Sequence, residues 1–523
     1  MARKEDAYTM QAANVLEPGY FVESRAALEE TIEELQSQKA MRMTHAELEV
    51  VIEQQGREIM RRLLQDHLDL RSGQEVRMQM VVGADGVERT HVRPRSRELE
   101  TVFGTVEVDR LAYGARERCS LIPLDAALNL PEERYSHGLR RIAAIEASKG
   151  SFDEAVDCLQ RTTGAEVAKR QVEELVRRAG ADFDSFYEKA EIEAPIGGGE
   201  LLVISVDGKG IVVRRQDLRP ATRKAAEKSQ HKLKKKLSKG EKRHRKRRAM
   251  VATVYDVEPH VRRPQDVIAD DPQKKEERRR APRAKNKRVW ASVSKSMEQV
   301  IEEAFQEALR RDPEKKRRWV VLVDGDEEQL KLVQQAARRH AVRVTIVLDV
   351  IHVLQYLWKA GLCFHGEGTA ELEEWVTERL LRVLQGKAGD VAAGMRRSAT
   401  LRGLKKARRE PVDTCAGYLL KNKGFLRYDR ALRQGYPIGT GVIEGACRHL
   451  VKDRMELTGA RWSLRGAEAV LRLRAIRSSG DFEAYWRYHL MREHDRVHAI
   501  RYASRKIAAV RPALRVIRGG ASS

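Results

Sequence analysis

The sequence predicts an α/β protein with a mixed sheet, and three observations carry that prediction. A glycine run at Gly197-Gly198-Gly199 marks a boundary, and behind it apolar runs of strand length begin. These runs alternate with amphipathic stretches in the order β-β-β-α-β-α-β-α, which gives a mixed sheet with helical crossovers. The chain has 523 residues, too many for one ordinary domain, so helical regions are expected around that sheet.

The elements follow in order. Residues 22–70 read as helices: Leu28, Ile32 and Leu35 recur at helical spacing, and Thr44 with Glu47 forms a capping box ahead of Leu48, Val51, Ile52, Ile59 and Leu63. Residues 98–113 alternate apolar and polar side chains around Phe103-Gly104, the pattern of a β-hairpin. Residues 137–180 read as three short helices, with capping boxes at Ser151/Glu154 and at Thr163/Glu166 across Gly164. The third helix starts near Ala165 and carries Lys169, Arg170, Arg177 and Arg178. A DNA-docking helix-turn-helix has this look, and so does a plain small bundle.

Past the glycine run, residues 200–213 form a strand-like stretch split by Asp207-Gly208, and residues 249–257 and 288–293 read as further strands. Met297–Leu309 is an amphipathic helix. Residues 319–323 are a fully apolar strand ending at Asp324, Gln329–Arg339 a helix, and Val342–Leu348 another buried strand. Helices then dominate, with Val353, Leu354, Leu357 and Trp358 as core. The expected division is 1–134, a helical region with a hairpin; 135–196, a helix-turn-helix-like segment; 197–362 with 436–479, the α/β core, carrying basic insertions at 216–248 and 262–288; 363–435, a helical insertion; and 480–523, a helical tail.

Charge narrows the function classes. Lys and Arg number 100 against 77 Asp and Glu, a net +23, which makes a long-range field attractive to polyanions. Aromatic residues are only 5%, against a carbohydrate or stacking-based single-strand binder. Between Arg219 and Arg248 lie fifteen Lys and Arg residues against two acids; the block reads as a solvated loop or, in a DNA enzyme, as a phosphate-binding arm that includes Lys234, Lys235, Lys236, Arg245, Lys246, Arg247 and Arg248. The five cysteines are widely spaced with no C-x-x-C, so neither a disulfide framework nor a Cys-rich zinc module is expected, and a reducing cytoplasm fits. No apolar leader and no membrane-spanning run are expected. No G-x-x-x-x-G-K-[ST] occurs, which argues against a nucleotide-driven motor.

Three acids stand out by position. Asp207 in VISVDGKG and Asp324 in WVVLVDGDEEQ each end an apolar strand, where an open α/β sheet presents its site. Glu444 opens a helix in YPIGTGVIEGACRHL, just after Thr440, a candidate N-cap. Ionised carboxylates of this kind can hold two divalent cations and serve an in-line displacement at phosphorus. Either aspartate alone also reads as an ordinary Asp-Gly turn. A further pair, Asp349 and His352 in VTIVLDVIHVLQYLWKA, reads either as an N-cap with a satisfied histidine or as support for the site. Asp349 rivals Asp324 as the second ligand.

The motifs VDGKG at 206–210, DVIHVLQYLWKA at 349–360 and above all YPIGTGVIEGACRHLVKDRMELTGARW at 436–462 resemble the ISKra-type insertion-sequence DDE transposases, with further likeness at 135–156 and 480–490. The resemblance implies a ribonuclease-H-like catalytic core with Asp207, Asp324 and Glu444 as catalytic acids holding two Mg²⁺ (or Mn²⁺) ions. The Asp349-x-x-His352 pair is similar to the C/DxxH motif of the distantly related Mutator-like transposases, placed after the second catalytic acid. The implied activity is cleavage at the terminal inverted repeats of a bacterial mobile element and joining of the freed 3′-OH to target DNA, by a homodimer or larger assembly on double-stranded DNA in the bacterial cytoplasm at the nucleoid. Lys209, Arg448, Lys452 and Arg454 are then expected on DNA phosphates, with Lys169 and Arg170 on the docking helix. The alternatives are a ribonuclease-H-like nuclease or resolvase that does not join, and a non-catalytic DNA-binding protein.

Overall fold

The computed structural model describes residues 20–189, 200–228, 245–268, 282–457, 459–507 and 510. Its contacts divide the chain into two compact units, one from residues 1–147, 152–175 and 486–523, the other from 148–151 and 176–485.

In the first unit, α1 (Val22–Gln36) and α2 (His45–Gly73) form a helical pair, and the Thr44/Glu47 capping box starts α2 as expected. Leu28, Ile32, Val50, Ile52, Met60 and Leu63 remain exposed on these helices. The hairpin pairs β1 (His91–Thr101) with β2 (Gly104–Ala115), and β3 (Arg118–Leu121) adds to the far end of β2. Most of that second edge of β2 would be bare. Polar side chains of α2 and of the residues just after it cover it: Gln65 bonds both N–H and C=O of Glu107 (2.8 and 2.9 Å), Ser72 donates to the Asp109 carbonyl (2.5 Å), and Glu75, beyond the helix end, accepts from Leu111 N (2.8 Å). Leu68 of α2 meanwhile joins Leu99, Val106, Val108 and Leu130 in a core.

The three helices expected over 137–180 are α3 (His137–Lys149), α4 (Phe152–Thr163) and α5 (Lys169–Ala179). Thr163 does not cap α5. Its hydroxyl donates back to Leu159 O (2.7 Å) and accepts from Ala165 N (3.2 Å), so it closes α4, and α5 begins four residues later than the sequence suggests. The Gly197–Gly199 boundary falls outside the described residues.

The second unit holds a five-stranded mixed sheet. Its strands are β4 (Leu201–Val212), β5 (Lys246–Val257), β6 (Lys285–Ser292), β7 (Arg318–Val323) and β8 (Val344–Leu348), in spatial order β8-β7-β4-β5-β6. The first three form an antiparallel meander; β7 and β8 run parallel to β4. Helices α6 (Met297–Arg311) and α7 (Glu327–Arg339) make the crossovers, and α8 (Val350–Gly361) leaves the end of β8. Trp319, Val320, Val321, Leu322 and Val323 are all buried, which explains why β7 reads as one unbroken apolar run. In α8, Val353 and Leu357 are core, but Trp358 stands 37% exposed. The helical insertion is present as α9 (Ala370–Leu384), α10 (Ala388–Leu401), α11 (Lys406–Lys421) and a short helix at Tyr428–Arg433. The chain then returns through α12 (Gly441–Ala446), a π-helical stretch at Cys447–Lys452, a short turn of helix at Asp453–Met455 and α13 (Leu464–Ser479), before α14 (Phe482–Val497). Among the described residues, no helix is long and apolar enough to cross a membrane.

One strand departs from expectation. Asp207-Gly208 does not split β4. Parallel pairing with β7 stops at Ser205↔Leu322, but antiparallel pairing with β5 continues from Asp207↔Val251 to Val212↔Lys246. Gly208 and Gly210 turn nothing here; their missing Cβ atoms leave space that the side chains of Arg248 and Lys246 occupy.

Candidate metal centre at the open end of the sheet

Asp207 and Asp324 each lie two residues beyond the last paired positions of β4 and β7, Ser205 and Leu322. Asp207 still belongs to β4 and Asp324 follows the last residue of β7, so the two acids stand at the same end of two neighbouring strands. Gly325 follows at φ +95° and lets the chain turn into α7, whose N-cap is Asp326, accepting from Gln329 N at 3.0 Å. Tyr418 of α11 donates to the Asp324 carbonyl at 3.0 Å, tying the insertion to this turn.

A residue the sequence reading passed over sits beneath them. Gln329 is buried, and its Nε2 donates to Val206 O at 2.6 Å, where β4 has just lost its β7 partner. The amide replaces a ladder bond and holds the strand immediately before Asp207. No local pattern marks it, because its acceptor is on another strand.

Asp349 is fully buried and fully engaged. It caps α8. One carboxylate oxygen accepts from Ile351 N (3.3 Å) and Thr440 N (3.0 Å), the other from His352 N (3.3 Å) and His352 Nδ1 (2.8 Å). Burial works to raise its pKa, but these donors outweigh burial and hold the carboxyl below its ordinary value. A carboxylate with four donors has no lone pair to spare for an ion, so it acts as a buried strut. Its bond to Thr440 N, with Val350 N to Ile438 O at 2.9 Å, brings the start of α12 against the end of β8. Thr440 is therefore not the side-chain N-cap expected from its position: its φ,ψ of −89°, 21° are not those of a cap, and no side-chain capping bond forms.

Glu444 is exposed on α12. Among the described residues, one trio of ligand-type atoms lies within 4.8 Å of one another, from Asp349, His352 and Glu444. Asp207, Asp324 and Glu444 do not make such a trio, but the charges around them are shared. The His352 imidazole is raised above its ordinary pKa by the bond to Asp349, against the effect of burial, with the Asp324 and Asp207 carboxylates adding to the rise. Lys209 and Cys447 meet at Asp207: Lys209 Nζ lies 3.0 Å and Cys447 Sγ 3.3 Å from Asp207 Oδ2. Burial, then the neighbouring Asp207, push the Cys447 thiol far up, so it stays protonated and donates to that oxygen. Cys447 is one helical turn past Glu444. The wide spacing of the cysteines gives no local sign of this contact, since Asp207 lies 240 residues away.

The basic residues separate into two groups. Arg448, Lys452, Lys246 and Arg248 are exposed, Arg448 beside Asp453 at 3.6 Å and Lys246 beside Glu456 at 3.2 Å. Lys169 and Arg170 are exposed on α5, Lys169 paired with Asp153 at 2.7 Å, and Arg245 is half-buried. Arg454 and Arg247 are structural instead. Arg454 is 3% exposed with its guanidinium 4.7 Å over Trp462, and Arg247 donates to Val293 O (2.8 Å) and Asp217 O (3.0 Å), so neither reaches outward for a phosphate. Lys234, Lys235 and Lys236 lie outside the described residues. The segment behind Glu444 is pinned to the sheet through Trp462, which bonds Val212 O (3.1 Å) and Arg214 N (2.8 Å). No protein-family model matches the chain, and no curated protein matches its sequence.

Proposed function

We propose that the chain is a metal-dependent DNA transposase of the DDE type on a ribonuclease-H-like core, with Asp207, Asp324 and Glu444 as its catalytic acids. The observation that carries this reading is the register of β4 and β7, whose parallel pairing ends at Ser205 and Leu322 so that Asp207 and Asp324 each follow two residues later at the same end of the sheet, with the Glu444 helix tied to that end by the Asp349–Thr440 bond. The order of a three-stranded antiparallel meander followed by two parallel strands supports it, as does the net charge of +23.

The donor set suits a hard divalent cation. Asp207, Asp324 and Glu444 offer oxygens at a half-open edge, whereas Asp349 is already saturated. Two Mg²⁺ or Mn²⁺ ions held by those three residues would activate the nucleophile and neutralise charge at phosphorus. The chain's own groups do the rest. Gln329 fixes the strand just before Asp207, and the Cys447 thiol fixes the Asp207 carboxylate. Asp349 holds His352 by Nδ1, which leaves Nε2 to donate to a phosphate oxygen. Arg448 and Lys452 grip the backbone beside the scissile bond. Water attacks the phosphodiester at an element end, the departing strand leaves a 3′-OH, and that hydroxyl attacks target DNA. Both ends must be held at once, which calls for a dimer or larger assembly.

The test is Asp207→Asn. It should abolish Mg²⁺-dependent cleavage of an inverted-repeat end while leaving duplex binding intact. Normal cleavage by the variant rejects the assignment. Supplying pre-cleaved ends separates transposase from nuclease: absence of joined product, with cleavage present, favours the nuclease.

A further inference from the structure

Three donors converge on the Asp207 carboxylate. Gly208 N reaches Oδ1 at 2.5 Å, and Lys209 Nζ and Cys447 Sγ both reach Oδ2, at 3.0 and 3.3 Å. The lysine is placed there by the strand itself. Positions 207 and 209 share one face of β4, while Lys246 and Arg248 lie over Gly210 and Gly208 on the other. No packing forces the Lys209 side chain inward, since it is 43% exposed and could extend into water. Negative charge draws it in: Asp207 directly, and Glu444 across the site.

We propose that Lys209 is a resident countercation of the metal centre: its ammonium sits on the Asp207 oxygen that a divalent ion requires, and swings out when the ion binds. This rests on the proposed catalytic reading. The exchange keeps the Asp207 carboxylate paired with a cation at every stage, so the three acids never face one another with none of their charge offset. It also lowers the affinity for free ions, because each ion must displace a cation already in contact. A duplex bound at the site gives the expelled ammonium a phosphate to meet, so ion and DNA should each tighten the binding of the other.

The experiment measures Mn²⁺ binding to the full chain without DNA, by the electron paramagnetic resonance of free Mn²⁺. Wild type, K209M, K209R and D207N are compared. K209M should bind Mn²⁺ about tenfold more tightly than wild type, because the competing charge is gone while the side-chain length is kept. K209R should stay near wild type. K209M should also melt below wild type without ion and match it in saturating Mn²⁺. Equal or weaker Mn²⁺ binding by K209M overturns the countercation role. If wild type exceeds D207N but K209M does not tighten, only that role fails. If wild type and D207N bind Mn²⁺ alike, the catalytic reading of Asp207 fails, and this inference with it.

Discussion

Replacing Asp349 with alanine tests whether this acid is a strut or a ligand, and the hydrogen bonds set the size of the effect. The substitution removes the N-cap of α8, worth about 1 kcal/mol. It also strands the buried N–H of Thr440, which donates to Asp349 Oδ1, at a cost of about 1–3 kcal/mol. Asp349→Ala should therefore destabilise the second unit by about 3 kcal/mol, and Asp349→Asn, which keeps an acceptor and a good cap, by about 1 kcal/mol. Asp324→Ala is the contrast. Its carboxylate accepts from Asp326 N at 3.0 Å on a half-buried turn, so stability should change by less than about 1 kcal/mol while Mn²⁺ binding is lost. Urea unfolding followed by tryptophan fluorescence reads the first quantity, with each unit's transition fitted separately. A fully stable Asp349→Ala protein that has lost Mn²⁺ binding would reverse the two assignments and make Asp349 the second ligand.

Three further outcomes are expected. Gln329→Leu leaves the Val206 carbonyl without its donor and should cost about 2 kcal/mol and slow single-turnover cleavage; unchanged stability and rate would mean that Gln329 does not hold β4. Arg448→Ala and Lys452→Ala should each flatten the slope of log K for DNA against log salt by about 0.9, whereas Arg454→Ala should leave the slope alone and lower stability by about 2 kcal/mol; a lost unit of slope in Arg454→Ala would put that side chain on DNA. In the first unit, His137 bonds the Asn129 carbonyl through Nε2 at 2.9 Å while its buried Nδ1 finds no partner, and burial, then Arg140, push its pKa from 6.5 down to about 4. The folded value lies below the unfolded one, so this contribution is complete above pH 6.5 and is lost as pH falls toward 4, by up to about 3 kcal/mol. His137→Gln should flatten the pH dependence of unfolding across that window, and an unchanged slope would show that His137 is not its source.

What the sequence disclosed and what it hid follow from locality. β7 and α7 were legible because burial writes a continuous apolar run and a 3.6-residue period into neighbouring residues. The hairpin at Phe103-Gly104 and the cap at Thr44 are likewise written within a few positions. The continuation of β4 was hidden, since Asp-Gly favours a turn and only the distant partner β5 holds it extended. The saturation of Asp349 was hidden for the same reason: its decisive donor, Thr440 N, is 91 residues away. Arg454 read as one more outward cation because the Trp462 ring that it covers lies eight residues on, beyond any local pattern.

That wider winding has its own consequence. A π turn closes its hydrogen bonds over five residues instead of four and so stores one surplus residue in the coil between Cys447 and Lys452. Removing a residue there, His449 for example, would let the coil relax to ordinary pitch while everything downstream keeps nearly the same rotational register relative to Glu444. Arg454 would then stay over the indole of Trp462, and the anchor of Trp462 on the sheet would hold. The segment should thus tolerate the loss of one residue inside the coil far better than the loss of one beyond it, where no surplus absorbs the change.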